Sequence, residues 1–168
     1  MSYTVLLQLQ ADFVGENSIQ HEHVENAAKK VLESENAPDG VMLTIVLCTD
    51  TYMREMNFKY RGINAPTDVL AFPAPPMPPE MAEETGGYLG DLVISLEYVA
   101  QRATEEQRSL QDDVSLMVVH GTLHLLGYDH HTPDAQKTMW AAQRRILESL
   151  GIHLEVPDYI HDDDEESR

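Results

Sequence analysis

The chain carries one cysteine, Cys48, in 168 residues, which excludes an internal disulfide and fits a reducing compartment. No uninterrupted apolar run approaches the ~20 residues that a membrane-spanning helix needs, so no span and no membrane partner are expected. The N-terminus Met1-Ser2-Tyr3-Thr4 has no basic region ahead of an apolar segment, hence no secretory signal is expected and the location read from the sequence is cytoplasmic. Cations are scarce: 11 Lys and Arg stand against 29 Asp and Glu, a formal net charge of −18. Such a chain is repelled by polyanions, which argues against broad, non-specific nucleic-acid binding. Any contact with nucleic acid has to be local, carried by a few placed cations, or arranged by a partner. Part of the charge is a tail: six acids and Arg168 in residues 158–168 contribute −5 and leave −13 on the rest. There are no internal repeats and no linker, so residues 1–157 are expected to form one domain, with 158–168 a disordered acidic tail.

Against these absences stands one dense stretch, His120-Gly121-Thr122-Leu123-His124-Leu125-Leu126-Gly127-Tyr128-Asp129-His130. Two histidines four residues apart on an α-helix share a face about one turn apart, and imidazoles so spaced can take two positions on a single metal ion. Gly127 supplies a residue that tolerates the left-handed conformation that stops a helix, after which His130 can swing back towards the pair. Three neutral imidazoles with no fourth protein ligand is the pattern of a catalytic zinc site, although nickel and copper accept the same donors. A single histidine on such a helix would be an ordinary packed core residue. The surrounding Val114, Leu116, Met117, Val118, Val119, Leu123, Leu125 and Leu126 make the helix apolar nearly all round, hence buried. There, polar rings without partners are costly and a metal removes the cost.

The flanking pattern reads as strands and helices in alternation. Tyr3–Leu9 alternates as a strand, with Val5, Leu7 and Leu9 on one side. Ser18 opens a helix to about Ser34, whose early His21 and His23 are read as solvated side chains. Asn36-Ala37-Pro38-Asp39-Gly40 is turn chemistry, and Val41–Cys48 a β-rich run that buries Cys48. Thr49 or Asp50 can cap a helix to about Tyr60, whose end gathers Arg54, Lys59 and Arg61; cations there also complement the helix dipole, which alone could account for them. Ala65–Pro73 is a strand bounded by prolines, and the run to Gly87, with five of the nine prolines in 73–79, reads as an exposed loop. Tyr88–Ser95 is a strand, with Ser95 capping a helix over Leu96–Arg108. Asp112 and Asp113 favour the start of the histidine helix by capping and by the dipole, and Thr132-Pro133 opens a last helix that Gly151 stops. Strand then helix at this density points to a layered domain, α/β or α+β.

Three blocks in this order, Tyr60-Arg61-Gly62…Pro66-Thr67-Asp68-Val69-Leu70-Ala71-Phe72-Pro73, Gly90-Asp91-Leu92-Val93-Ile94-Ser95, and His120 through His130, resemble the YbeY family of metal-dependent endoribonucleases, over roughly residues 40–150. The resemblance implies an α+β fold, a short mixed β-sheet packed by several helices with a zincin-like metal-binding helix, and one zinc ion held by His120, His124 and His130, with His124 and Arg61 serving catalysis and Arg61 handling the RNA. It further implies single-strand endoribonuclease activity in 16S rRNA 3′-end maturation and ribosome quality control. The implied partners are rRNA and ribosome-assembly proteins, including a small-subunit ribosomal protein. Asp129 is a candidate to orient a ligand imidazole, with a plain turn residue as the alternative. Two rival readings are a zinc hydrolase of another class, such as a peptidase, and a non-catalytic ribosome-assembly factor with a structural metal. The first lacks the glutamate that follows the first histidine of the peptidase motif, where this chain has Gly121. The second lacks the four protein ligands usual for structural zinc, but suits the acidity.

Overall fold

A computed structural model describes residues 2–10 and 19–154, with the side chains of residues 84 and 85 left aside. The acidic 158–168 segment and Ser18 lie outside the described residues. The elements run β1 Thr4–Leu9, α1 His21–Ser34, β2 Met42–Cys48, α2 Asp50–Arg61, β3 Val69–Pro73, α3 Pro79–Thr85, β4 Tyr88–Ser95, α4 Leu96–Glu105, α5 Leu110–Leu125 and α6 Pro133–Ser149.

The four strands form one mixed sheet in the order β1-β2-β4-β3. β1 and β2 run parallel, as do β2 and β4, while β3 returns antiparallel along β4 as an edge. Alternation along the strands sorts the side chains to two faces. Leu43, Ile45 and Leu47 of β2 and Leu92 and Ile94 of β4 join the main core, whereas Val46, Cys48 and Val93 join a second cluster with Leu70 of β3 and Met53 of α2. The main-core face carries α5, which is enclosed by α1, α4, α6 and the β3–β4 half of the sheet. This enclosure explains its composition: twelve of its residues are buried, His120 among them. Gly121 lets α5 lie close on the sheet, because a Cβ at that position would stand 2.7 Å from Leu92 Cδ2.

The mixed α+β architecture and the buried histidine helix agree with the sequence reading, and several boundaries are corrected. Within the expected exposed loop, residues 79–85 form α3: Pro79 occupies the first helical turn, where a missing N–H costs nothing, and Gly86 closes the helix in the left-handed conformation. The expected strand over Ala65–Pro73 begins only at Val69, because Asp68 turns inward to an ion pair with Arg102, Nη1 to Oδ2 at 2.8 Å. α4 ends at Glu105 rather than Arg108, where Gln107 adopts a positive φ of 56°. The cap of α5 is Ser109, whose Oγ accepts from Asp112 N at 3.1 Å, and not Asp112 or Asp113. Asp113 is buried and receives Arg108 through Nε and Nη2 at 2.7 and 3.0 Å. On β1, Val5 is buried but Leu9 is 49% exposed, since β1 is the other edge of the sheet.

Candidate functional site

The site forms where α5 ends. His120 and His124 project from one face of its last turns, and Leu126 caps the helix. Gly127 then turns the chain at φ +105°, while Tyr128 N donates back to the Leu123 carbonyl at 3.0 Å. This reversal returns His130 to the pair and buries it. The centroids of the three rings lie 4.6, 5.3 and 5.1 Å apart, and one ligand atom from each can be chosen so that all fall within 4.8 Å of one another. Trp140 of α6 walls the cluster, edge to face with His120 at 5.8 Å and with His130 at 5.2 Å.

Two hydrogen bonds determine what the converging atoms are. His120 Nδ1 lies 2.5 Å from Gln143 Oε1, and His124 Nδ1 lies 2.8 Å from the Tyr128 carbonyl oxygen. Both oxygens only accept, so both Nδ1 atoms carry the proton and each neutral ring presents its Nε2 lone pair. These Nε2 atoms face each other at 3.1 Å. Two lone pairs at that separation repel unless a cation or a proton lies between them. Two nitrogens bound at 2.0–2.1 Å to a tetrahedral ion would stand about 3.3 Å apart, so the pair is already near ligand spacing. Burial pushes the pKa of His120 well below its ordinary value; nearby His124, His130 and Arg102 act in the same direction, and the Gln143 contact opposes them. Neutral imidazole is the form that binds metal. Among the described residues His120, His124 and His130 are the group that could hold an ion, and three nitrogen donors suit zinc and its late-transition neighbours.

The remaining residues singled out from the sequence fall as follows. Arg61 is the last residue of α2, half-buried, with Gly62 beyond it in the left-handed conformation. Asp129 is exposed and accepts from His131 N at 3.3 Å, which makes it a turn residue; the His120 and His124 imidazoles take their orientation from Gln143 and the Tyr128 carbonyl instead. Cys48 is fully buried, and burial, assisted by Asp50 and Glu97, pushes its thiol up to about 12, so it is no nucleophile at neutral pH. His21 and His23 are exposed, as read. Sequence reasoning missed Gln143, although a signal existed: it lies four residues after Met139 and three before Ile146, a polar side chain within the buried stripe of α6.

Comparison with known proteins agrees with this geometry. Residues 10–151 match the family model described as endoribonuclease YbeY. Similar proteins include the endoribonuclease YbeY of Desulforamulus reducens, 41% identical over 77% of this chain and 86% of that one. That of Persephonella marina is 37% identical over 82% and 88%, and that of Geobacillus thermodenitrificans 34% identical over 87% and 99%. The solution structure of a Thermotoga maritima protein shares the fold, with a TM-score of 0.55 and 22% identity over 88% of this chain and 91% of that one. With a family match that spans residues 10–151 and relatives 34–41% identical over most of both chains, this protein belongs to the endoribonuclease YbeY family.

Proposed function

We propose that this chain is a zinc-dependent endoribonuclease that cleaves single-stranded RNA, acting in the cytoplasm in 16S rRNA 3′-end maturation and ribosome quality control, with ribosome-assembly proteins, including a small-subunit ribosomal protein, as partners. The observation that carries the reading is the facing pair of Nε2 lone pairs of His120 and His124, with His130 returned beside them, in a member of this family. His120, His124 and His130 would hold one zinc ion. The chemistry such an ion supplies when bound is Lewis acidity towards a phosphoryl oxygen and a water acidified to a pKa near 7. This chain's own part is to hold the rings in one tautomer, to wall the site with Trp140, and to bring charge to the phosphodiester through Arg61, whose guanidinium suits non-bridging oxygens.

A route for RNA is supported by the β3 edge. Val69 and Ala71 of β3 pack towards the α5 side, while Phe72 meets Tyr60 of α2 with ring centroids 5.1 Å apart. α2 thus adjoins the strand that α5 packs against. It exposes Phe58 and Tyr60, 59% and 54% accessible, beside the exposed cations Arg54 and Lys59. Exposed rings among cations bind unstacked bases, which favours single-stranded substrate. The peptidase rival is disfavoured because Gly121 stands where its motif has a glutamate, and a side chain there would require Leu92 to shift. The test offers zinc-loaded protein single-stranded RNA, duplex RNA and a peptide panel, with Arg61→Ala alongside. Internal cleavage of single-stranded RNA alone, reduced at least tenfold in Arg61→Ala, is expected. Peptide hydrolysis would overturn the reading, and an undiminished Arg61→Ala would remove Arg61 from it.

A further inference from the structure

We propose that Glu35, at the far end of α1, positions the His124 imidazole through Tyr128, so that a link remote from the ligands tunes how tightly the triad holds its metal. The inference rests on the reading of the triad as a metal site and assigns positioning residues to it that neither motif nor family match singles out.

Tyr128 does two things at once. Its backbone carbonyl accepts from His124 Nδ1 at 2.8 Å, and its phenol donates to Glu35 Oε1 at 2.5 Å. Glu35 is in turn fixed from two sides. It is the C-cap residue of α1, with its N–H donating to the Val31 carbonyl at 2.9 Å, and its Oε2 accepts from Arg145 Nη2 of α6 at 3.0 Å. The chain is therefore clamped across residues that lie 93 and 110 positions apart in sequence.

The clamp acts in the turn that follows α5. Residues 126–132 belong to no helix or strand, and Gly127, at φ +105°, is the residue type with the widest backbone freedom. The bond from Tyr128 N to the Leu123 carbonyl fixes one end of that peptide unit, and the phenol–carboxylate contact fixes the side chain. A hydrogen bond to an ionised carboxylate is roughly twice as strong as one between neutral groups, and Arg145 keeps this carboxylate aimed. With Tyr128 held, its carbonyl keeps His124 in the Nδ1–H tautomer and presents Nε2 to His120. Groups that orient a ligand imidazole typically change metal affinity 10–100-fold.

The test is zinc affinity, measured by chelator competition, and zinc dissociation rate, on the full chain. Tyr128→Phe removes the hydroxyl but keeps ring and carbonyl; Glu35→Gln removes the charge; Thr49→Ala removes the α2 cap as a control for lost stability elsewhere. The expected result is a dissociation constant and an off-rate raised about tenfold in each of the first two, no further loss in the double variant, and no change in Thr49→Ala. Wild-type affinity in Tyr128→Phe and Glu35→Gln, with the wild type binding one zinc, would overturn the link while leaving the metal reading intact. No zinc bound by the wild type would overturn the reading beneath it. A loss in Thr49→Ala as large as in the other two would overturn the positioning role, since it would trace the effect to general destabilisation. If Tyr128→Phe does not fold, Glu35→Gln decides alone.

Discussion

His120 is buried near the end of α5 and held neutral there, and this has a consequence for stability. In the unfolded chain its imidazole takes a proton at about pH 6.5, whereas the folded environment resists that proton. As pH falls below this value the unfolded state binds more protons than the folded one, and stability drops; above it the difference vanishes. For the metal-free protein the urea midpoint is expected to fall between pH 7.5 and pH 5.5 by more than that of His120→Leu over the same range. Equal pH dependence in the two proteins would contradict the assignment. The three histidines were legible because helical spacing and a glycine stop are local features of sequence. What orients them was not: Gln143 comes from another helix, and the Tyr128 carbonyl is a backbone group that any residue would carry. Asp129 drew the role in the sequence reading because it has a carboxylate, and the structure gives that role to its neighbour's main chain.

Elements are tied together by polar contacts that a single sequence does not display. Asp68, just ahead of β3, pairs with Arg102 of α4 at 2.8 Å with both side chains buried, and its Oδ1 accepts from Val69 N at 2.7 Å. Arg102 Nη2 reaches Met117 Sδ of α5 at 3.4 Å, so one guanidinium bridges the strand entry and the histidine helix. Removing the carboxylate leaves a buried charge without its counterion. Asp68→Ala is therefore expected to cost about 3–5 kcal/mol, read from the denaturant midpoint. A loss below 1 kcal/mol would mean that water or another group takes over. Several helix ends were readable: Thr49, Ser95 and Thr132 cap where the sequence suggests, and Gly127 and Gly151 take a positive φ just beyond their helices. The failures share a cause. Asp113 has the chemistry of a cap but satisfies Arg108 instead, and the prolines that suggested a loop open a helix at Pro79. In each case a residue with two uses took the one that tertiary packing selects.

At the scale of the whole molecule, a net charge of −18 has to coexist with membership of an endoribonuclease family. If Arg54, Lys59 and Arg61 carry the RNA contact, each neutralising one phosphate at about 0.7 in the slope for single strands, the logarithm of affinity should fall against the logarithm of salt with a slope near −2. A slope steeper than about −5 would require a basic surface beyond α2. A layered domain of strands and helices was legible from their alternation, the α+β class only through the family resemblance, and the burial of α5 from its all-round apolar composition. The strand order and the antiparallel return of β3 were not, because they depend on which edges meet rather than on any local pattern.

The role proposed for the three-histidine cluster is to hold the metal at which RNA is cleaved. Its most direct test measures zinc content and cleavage of a structured rRNA 3′-end fragment together, for the wild type and for His124→Ala purified identically. One zinc per chain with cleavage in the wild type, and loss of both in a folded His124→Ala, is the predicted result. Equal cleavage by the two proteins would contradict it.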